Sequence, residues 1–320
     1  GSVPTYPITE GKAARIMTGA PVPEGADAII MHERTSFTEN TVTLTAPVTS
    51  ANIIPPGEDV KAGTLLVPKG KILTASDLAL IAGQGIAEIE VYKKLSIGLI
   101  STGSELLDTG SPLEYGKIYN TNPYLLGGYI QKHHMTANYL NTVSDDLDSL
   151  CRAVLEALKT NDIVITTGGV SAGDFDYMPE VVRRIGGDLL FHRLKFKPGG
   201  AMLGAFKDGK VILGLSGNPG AAATGLLCVG FPFMRKLSGR SDITFSQTTA
   251  YLGVDFKKSS PVTRILKGHS DFKNGMLYFT PLSNQHNGSV SSMSDCDLLA
   301  VIPAGSKPLT AGDKLEVYIL

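Results

Sequence analysis

Residues 163–171 read Ile-Val-Ile-Thr-Thr-Gly-Gly-Val-Ser, and this stretch decides the fold. A short run rich in β-branched residues that stops at glycine predicts a buried strand ending in a loop. Residues 95–104 and 211–219 have the same form, and helical patterns separate the three runs. Strands that alternate with helices build a parallel sheet covered on both faces, so we predict a central parallel α/β domain.

Shifts in the sequence pattern divide the chain into four predicted parts. They are a β-rich N-terminal domain (1–69), a connector with one helix over 76–82 (70–94), the α/β domain (95–241) and a small C-terminal β-barrel (246–320). Within the α/β domain we expect a hairpin turning at Asp208-Gly209 and helices over 123–133, from Asp145 or Asp146 to Lys159, over 178–185 and over 220–237. The predicted fold class is therefore multidomain, α/β plus β.

The composition excludes several classes of protein. With 29 basic and 30 acidic side chains the formal charge is −1, so no overall field draws nucleic acid or an anionic membrane. Three widely spaced cysteines exclude a disulfide framework and a C-x-x-C metal clip. The longest charge-free apolar stretch, residues 211–234, is interrupted by Asn218-Pro219 and is too short to span a bilayer. We expect a cytoplasmic protein that neither inserts into membranes nor binds nucleic acid.

Three of the predicted strands end in loops of small residues. These loops are Ser101-Thr102-Gly103-Ser104, Thr166-Thr167-Gly168-Gly169-Val170-Ser171 and Leu215-Ser216-Gly217-Asn218-Pro219. Each loop taken singly fits an ordinary strand-to-helix turn. In an open parallel sheet, however, ligands bind beyond the carboxyl ends of the strands, where backbone N–H groups attract anions. The three loops together predict a site for a ligand that carries phosphate.

The segment Phe191–Lys197 alternates between apolar and basic residues, which predicts a strand with one cationic face. Arg193 and Lys195 fit a solvated edge strand whose charges prevent aggregation. Lys197 differs because Pro198-Gly199-Gly200 follows it and predicts a tight turn at the end of the strand. We expect its ammonium to bind an anion there.

Carboxylates follow the same strands. Glu105 follows the first loop, Asp174 and Asp176 follow the second, and Asp145 and Asp146 begin a helix. Carboxylates near phosphates hold Mg²⁺ or transfer protons. The alternative for Asp145, Asp146 and Asp176 is the N-cap of the helix that each precedes.

Residues 169–173 also match the G-x-S-x-G nucleophile elbow, with Ser171 as the nucleophile and His192, His269 or His286 as a possible base. The elbow requires a sharp turn from strand to helix. Here an additional glycine precedes it and four residues delay the helix, so a serine hydrolase is the least favoured function. Neither a P-loop nor a G-x-G-x-x-G motif occurs.

Seven motifs follow one another along nearly the whole chain. They are Arg15-Ile16-Met17-Thr18-Gly19-Ala20-Pro21, Gly25-Ala26-Asp27-Ala28, Gly57-Glu58-Asp59, Ser101-Thr102-Gly103-Ser104-Glu105-Leu106, the run from Thr167 to Tyr177, Lys197-Pro198-Gly199 and Gly217-Asn218-Pro219. In this order they resemble the molybdopterin molybdenumtransferase family, to which the E domain of gephyrin also belongs. The resemblance implies insertion of molybdate into adenylylated molybdopterin with Mg²⁺ and release of AMP.

The same resemblance implies a homodimer whose cleft combines two subunits, and molybdopterin adenylyltransferase as a further partner. It also leaves open a scaffold or pterin-binding protein that uses the fold without turnover. Glu105, Asp176, Asp146 and Lys197 would be the catalytic residues, and Glu105 and Asp176 would bind Mg²⁺. The residues implied in binding pterin nucleotide or molybdate are Thr18 (reaching in from the partner subunit), Thr102, Gly103, Gly168, Gly169, Ser171, Pro198, Gly199, Ser216, Gly217, Asn218, Pro219 and Ser292.

The chain departs from the family pattern at three motif positions. Ser104 stands where the family usually has Asp in T-G-D-E-L, Gly200 where it has a second Lys in K-P-G-K, and Ser216 where it has Pro in G-L-P-G-N-P. The loss of one lysine is expected to weaken molybdate binding. The family's N-terminal segment, with an aspartate in a D-N-S-A-M-D-G-Y-A-like stretch, does not precede Gly1.

Overall fold

The computed structural model of the chain describes residues 3, 5–170 and 176–320, and the chain divides into two compact units, 1–66 and 67–320. In the first unit, β1 (Thr35–Phe37) pairs antiparallel with β2 (Val42–Leu44) after a 3₁₀ turn over His32–Arg34. Most side chains of the two strands are exposed, so the sheet has little core on which to extend. Regular strand is therefore shorter here than the sequence pattern suggested.

The second unit begins with helix α1 (Ala75–Gly83), close to the predicted span of 76–82. Thr74 and Asp77 form a capping box, in which each side chain accepts from the backbone N–H of the other residue. Such a box satisfies two of the N–H groups that a helix start leaves without partners. Lys71 adds an ion pair of 2.6 Å to Asp77.

The α/β domain follows. Its elements in chain order are β3 (Ser96–Ser101), β4 (Leu106–Leu107), β5 (Ile118–Tyr119), α2 (Asn122–Lys132), β6 (Thr136–Tyr139), α3 (Leu147–Thr160), β7 (Ile163–Thr167), α4 (Met178–Arg184), β8 (Asp188–His192), β9 (Phe196–Lys197), β10 (Leu203–Lys207), β11 (Lys210–Leu215), α5 (Pro219–Gly225) and α6 (Phe231–Leu237).

The central sheet has the strand order β6-β3-β7-β11-β10-β8. The strands β6, β3, β7 and β11 run parallel, so the carboxyl ends of β3, β7 and β11 lie side by side as predicted. The hairpin at Asp208-Gly209 is also confirmed, and both residues have positive φ angles, 50° and 76°. This hairpin turns β10 antiparallel, so the sheet is mixed rather than wholly parallel.

Both faces of the sheet are buried. Successive side chains of a central strand point to opposite faces, so each face packs against its own layer of helices. Ile163 and Ile165 of β7 pack in one cluster with Leu126 of α2 and Phe231 of α6. Val164, which points the other way, packs with the α3 and α4 side. All of these side chains are fully buried.

Two further predicted elements differ from the observed ones. The single strand over 191–197 is wrong: β8 ends at His192, Arg193 has a φ of +66°, and β9 joins a different sheet. A positive φ in a residue other than glycine breaks the extended path, which a two-residue alternation cannot reveal. The helix predicted over 220–237 begins one residue earlier and contains a π-helical stretch, Leu226–Gly230. Among the described residues, no helix combines the length and apolarity that crossing a bilayer demands.

The C-terminal barrel is confirmed. Its elements are β12 (Gln247–Leu252), β13 (Thr263–Lys273), β14 (Met276–Pro281), α7 (Ser291–Ser294), β15 (Leu298–Ile302) and β16 (Lys314–Ile319). The five strands close in the order β14-β12-β16-β15-β13, because β13 also pairs with β14. The short strand β9 pairs parallel with β13 and so joins the barrel to the α/β domain.

A half-buried histidine, His133, makes the stability of this unit depend on pH. Burial, reinforced by Arg235, lowers the pKa of His133 from 6.5 to about 4, and its ring packs edge-on against Phe231 with centroids 4.4 Å apart. The folded chain therefore keeps His133 neutral, whereas the unfolded chain binds a proton below pH 6.5. We expect about 1–3 kcal/mol of stability, present above pH 6.5, to be lost as the pH falls to 4.

Urea unfolding at pH 7 and pH 5 measures this loss. His133→Asn should lower stability at pH 7 but flatten its decline with acid. The same change at the exposed neighbour His134, whose φ of 63° asparagine tolerates, should leave the decline intact. An unchanged decline in His133→Asn would contradict the assignment.

Candidate functional site at the sheet edge

The three loops that follow β3, β7 and β11 are in direct contact. The backbone N–H of Thr102 donates to Thr167 O at 2.9 Å, and that of Gly168 donates to Leu215 O at 3.0 Å. A Cβ placed on Gly217 would lie 3.6 Å from the Cα of Gly168. The predicted residues Thr102, Gly168 and Gly217 are therefore brought together at one edge.

Glycine is required at Gly168 by both conformation and space. Its φ is +102°, which L side chains rarely adopt, and a Cβ there would lie 2.4 Å from Thr102 Oγ1 and 2.9 Å from Thr102 O. Gly103 and Gly169 also have positive φ angles, 149° and 65°. Because these positions carry no side chain, a ligand can approach their backbone closely, as an anion cradle requires.

A chain of buried polar groups supports these loops from below. Thr167 Oγ1 donates to Ser101 Oγ (3.2 Å), Ser101 Oγ donates to Asn120 Oδ1 (3.3 Å), and Asn120 Nδ2 donates to Thr142 Oγ1 (3.2 Å). Asn122, at the start of α2, donates from Nδ2 to Gly217 O at 2.8 Å, while its buried Oδ1 has no partner among the described residues. A fixed support of this kind holds binding loops in one arrangement.

Sequence reasoning missed Asn120 and Asn122. The sequence predicts a helix over 123–133 and assigns no role to the two asparagines that precede it. Two asparagines precede this apolar helix, whereas an N-cap requires only one. The second asparagine is the signal that could have pointed to a further role.

Three charged residues surround the loop after β3: Glu105, Asp145 and Lys117. The Glu105 carboxylate lies against Gly103, since a Cβ there would meet its oxygens at 2.6 and 2.7 Å. The backbone N–H of Ser104 donates to Asp145 Oδ2 at 3.3 Å, and Lys117 Nζ donates to Ser104 O at 2.6 Å. Asp145 therefore contacts this loop, whereas the hydrogen bonds of its neighbour Asp146 are made to Ser144 and Ser149.

Asp146 is the N-cap of α3, the alternative that the sequence left open. Its Oδ1 accepts from the backbone N–H of Ser149 at 2.8 Å, and its Oδ2 accepts from the hydroxyl of Ser144 at 2.7 Å. These hydrogen bonds lower the pKa of Asp146 to about 2. The side chain therefore stays ionised at neutral pH and is occupied in helix capping.

Asp176 is free of capping, because Tyr177 occupies the N-cap position of α4 and no side-chain cap bond forms there. The Asp176 side chain is 14% exposed, and its Oδ2 lies 3.3 Å from His192 Nε2 and 3.5 Å from an Arg193 guanidinium nitrogen. Its Oδ1 is buried and has no hydrogen-bond partner among the described residues. An acceptor without a partner is costly unless a ligand completes it.

Lys197 lies at the end of β9 with its side chain exposed, and it forms no ion pair with a described residue. The turn that follows packs on α5: Gly199 has a φ of +95°, and a Cβ on it would lie 2.7 Å from Gly225 N and 2.9 Å from Ala221 O. The turn after Lys197 therefore packs on α5, the helix that directly follows Gly217-Asn218.

A loop of the barrel covers the start of α5. The backbone N–H of Ala221 donates to Asn287 O at 3.2 Å, and this loop encloses Lys267, which is fully buried. Lys267 Nζ donates to Ser292 Oγ at 2.5 Å and to His286 O at 3.2 Å, and burial lowers its pKa. The predicted residue Ser292 is thus engaged with Lys267, a cation that sequence reasoning missed because one lysine in a strand carries no distinguishing signal.

The remaining predicted residues are placed as follows. Ser216 Oγ accepts from the backbone N–H of Asn218 at 3.3 Å, and Pro219 is the first residue of α5. Thr18 is an exposed residue of the first unit. Ser171, the nucleophile of the hydrolase alternative, and Asp174 lie outside the described residues.

Within the part of the chain that the structure describes, no three His, Cys, Asp or Glu side chains group closely enough to hold a metal ion by themselves. Mg²⁺ at nucleotide sites takes one or two carboxylates and completes its shell with phosphate oxygens and water. Asp176 Oδ1, which has no hydrogen-bond partner among the described residues, and the exposed carboxylate of Glu105 are oxygen donors of the kind that such a site uses.

Three family models match the chain. The MoeA N-terminal region (domain I and II) matches residues 1–85, the probable molybdopterin binding domain matches residues 98–236, and the MoeA C-terminal region (domain IV) matches residues 249–320. Together the three matches take in most of the chain.

Curated relatives carry one name. Molybdopterin molybdenumtransferases of Staphylococcus aureus and Staphylococcus epidermidis are 36% and 34% identical over 320 residues, which is 100% of this chain and 76% of each relative. Two crystal structures of the molybdopterin biosynthesis MoeA protein from Pyrococcus horikoshii align with TM-scores of 0.85 and 0.80 at 27% identity, covering 100% of this chain and 78% of theirs.

Proposed function

Because this chain belongs to the molybdopterin molybdenumtransferase family, we propose that its sheet-edge loops bind the pterin nucleotide into which molybdenum is inserted. The chain is a transferase of molybdenum cofactor biosynthesis, and relatives that carry this name match it along its whole length. Neither the scaffold alternative nor the serine hydrolase alternative is favoured by these relatives.

The observation that carries the proposal is the contact of the three glycine-containing loops at one edge. Gly169 and Gly217 would present backbone N–H groups to the pyrophosphate of adenylylated molybdopterin, while Gly103, Gly168, Asn218 and Pro219 would shape the loops and the start of α5 around it. The hydroxyl of Thr102, with Ser171, Ser216, Pro198 and Gly199, would line the same cradle. Ser292 would act indirectly, by holding Lys267 beneath the barrel loop at the start of α5.

Asp176 and Glu105 would supply the carboxylate chemistry. Molybdate loses oxo groups as water during insertion, so protons must be delivered at the site, and a carboxylate held in place provides such a route. His192 and Arg193 lie 3.3 and 3.5 Å from Asp176 Oδ2, so Oδ1 would be the oxygen available to the ligand. Mg²⁺, when bound by Asp176 and Glu105, would neutralise phosphate charge.

Other parts of the proposal rest on the family resemblance. We propose a cytoplasmic homodimer that receives its nucleotide from molybdopterin adenylyltransferase and in which Thr18 reaches the site from the partner subunit. Asp146 would assist by fixing the start of α3 beside Asp145, which contacts the loop after β3.

The function is tested by incubating the purified chain with adenylylated molybdopterin and molybdate and measuring AMP and the molybdenum cofactor. AMP release that depends on molybdate and is stimulated by Mg²⁺ is expected. Binding of the nucleotide without AMP release would instead favour the scaffold alternative.

Replacement of Lys197 by alanine should weaken nucleotide or molybdate binding about ten- to a hundredfold, the value of one charged hydrogen bond. Lys195→Ala is the matched control: Lys195 is two residues away and is also exposed, but it lines an apolar groove with Leu227 and Tyr318. Calorimetric titrations should show a loss in the first variant alone and a smaller loss at high salt. Equal affinities in both variants would show that Lys197 is a solvated surface residue that does not bind the anion.

A further inference from the structure

We propose that Lys117 binds an oxyanion at this site, a role the sequence motifs did not suggest. The group it would contact is tetrahedral and anionic, either molybdate or a phosphate of the nucleotide. The inference rests on the proposed function and deepens it, because it names a specificity-determining cation of the same site.

The fold places the ammonium of Lys117 at the loop after β3. Lys117 Nζ donates to Ser104 O at 2.6 Å. The next residue, Ile118, begins β5, which pairs parallel with β4, and its N–H donates to Glu105 O at 2.9 Å. Lys117 is thus held in register with the segment that carries Glu105, and Ser104 and Glu105 directly follow the cradle residue Gly103.

No described residue neutralises the charge of this ammonium. Lys117 is half-buried, and no carboxylate oxygen of a described residue lies within 4.0 Å of its Nζ. Asp145 and Glu105 are engaged elsewhere, since Asp145 accepts from the Ser104 N–H and the Glu105 carboxylate lies against Gly103. An ammonium has three N–H donors, and Ser104 O takes one of them, so the other two are available to an anion.

The turn after Lys197 cannot supply a second cation from position 200. A Cβ on Gly200 would lie 2.2 Å from Phe196 O and 2.4 Å from Leu194 O, so any side chain there forces the backbone to move. Ser104 is neutral where the motif usually has Asp. Relative to the family motifs, Ser104 removes one negative charge and Gly200 removes one positive charge, so the net charge of the site stays the same. Lys117 is then the cation next to position 104, and no acid at that position pairs with it.

A purely structural role would look different. If Lys117 only held the loop through its hydrogen bond to Ser104 O, then a neutral side chain with one N–H donor would preserve ligand binding. Lys117→Gln supplies that donor without the charge, whereas Lys117→Arg keeps the charge. Lys307→Ala is the matched control, because Lys307 is an exposed lysine in the loop between β15 and β16.

The test measures binding of ADP by calorimetry and the KM for molybdate in AMP release, at low and high salt, for the full chain and these variants. We expect Lys117→Gln to be weakened about ten- to a hundredfold in one of the two readouts, with a smaller salt dependence, and Lys117→Arg and Lys307→Ala to resemble wild type. Loss in the ADP readout assigns Lys117 to a phosphate, and loss in the molybdate readout assigns it to molybdate.

Lys117→Gln with wild-type values in both readouts would overturn the inference and leave the proposed function standing. A wild-type chain that neither binds ADP nor releases AMP would overturn the proposed function and the inference with it. The thermal midpoint of each variant shows whether the loop still folds, and Lys117→Ala with a lowered midpoint but unchanged affinities would also count against oxyanion binding.

Discussion

Asp176→Asn is expected to reduce molybdate-dependent AMP release about 100- to 10,000-fold, the contribution usual for a group that transfers a proton. Asparagine has the shape of aspartate, but it lacks the charge that pairs with Arg193 and a carboxylate proton that it could transfer. Because the Asp176 side chain is 14% exposed and sits before α4 without capping it, the fold should persist. Turnover measured under saturating substrate, with circular dichroism of the same samples, gives the answer.

Asp148→Asn is the control for this substitution. Asp148 also pairs with an arginine, Arg184, but its side chain is 76% exposed on α3. An exposed pair contributes at most about 1 kcal/mol, so stability and turnover should both stay close to wild type. Equal turnover in the two variants would remove Asp176 from the reaction.

Gly168→Ala should abolish binding of the pterin nucleotide and lower the stability of the chain. The added Cβ would lie 2.4 Å from Thr102 Oγ1 and 2.9 Å from Thr102 O, so the loops after β3 and β7 must separate. Overpacking usually costs about 1–3 kcal/mol, and the φ of +102° adds strain to it. Calorimetric titration and denaturant unfolding measure the two effects.

Gly186→Ala separates the clash from the strain. Gly186 has a φ of +68°, but only Lys207 Nζ, at 3.8 Å, would meet its Cβ. This variant should be less stable by ~1–2 kcal/mol, the cost of a left-handed conformation in a residue with a side chain, and should still bind the nucleotide. If Gly168→Ala binds as well as Gly186→Ala, the three loops do not form the cradle.

Much of the site could be predicted because its position follows from local patterns. A run such as residues 163–167 defines a strand, and the helices between such runs make the strands parallel. Parallel strands end at one edge, so the loops at Thr102, Gly168 and Gly217 had to meet there. Asp208-Gly209 likewise defined its hairpin, because those residues tolerate the positive φ that the turn needs.

Tertiary structure decided what depends on contacts between distant residues. The alternation over 191–197 could not show that Arg193 breaks the strand, or that β9 leaves the central sheet for the barrel. Whether an aspartate caps a helix or faces a ligand is equally non-local: Asp146 caps α3, whereas Asp176 lies beside His192.

By itself, the sequence determined the family, the order of the domains and the edge at which the loops meet, because strand period, turn chemistry and motif order are local properties. Only the tertiary structure decided which charges face that edge. Lys267 is buried under a loop 19 to 25 residues further along the chain, and Lys117 reaches Ser104 across 13 residues. Their positions depend on packing and strand register, which bring together side chains that no spacing along the chain relates.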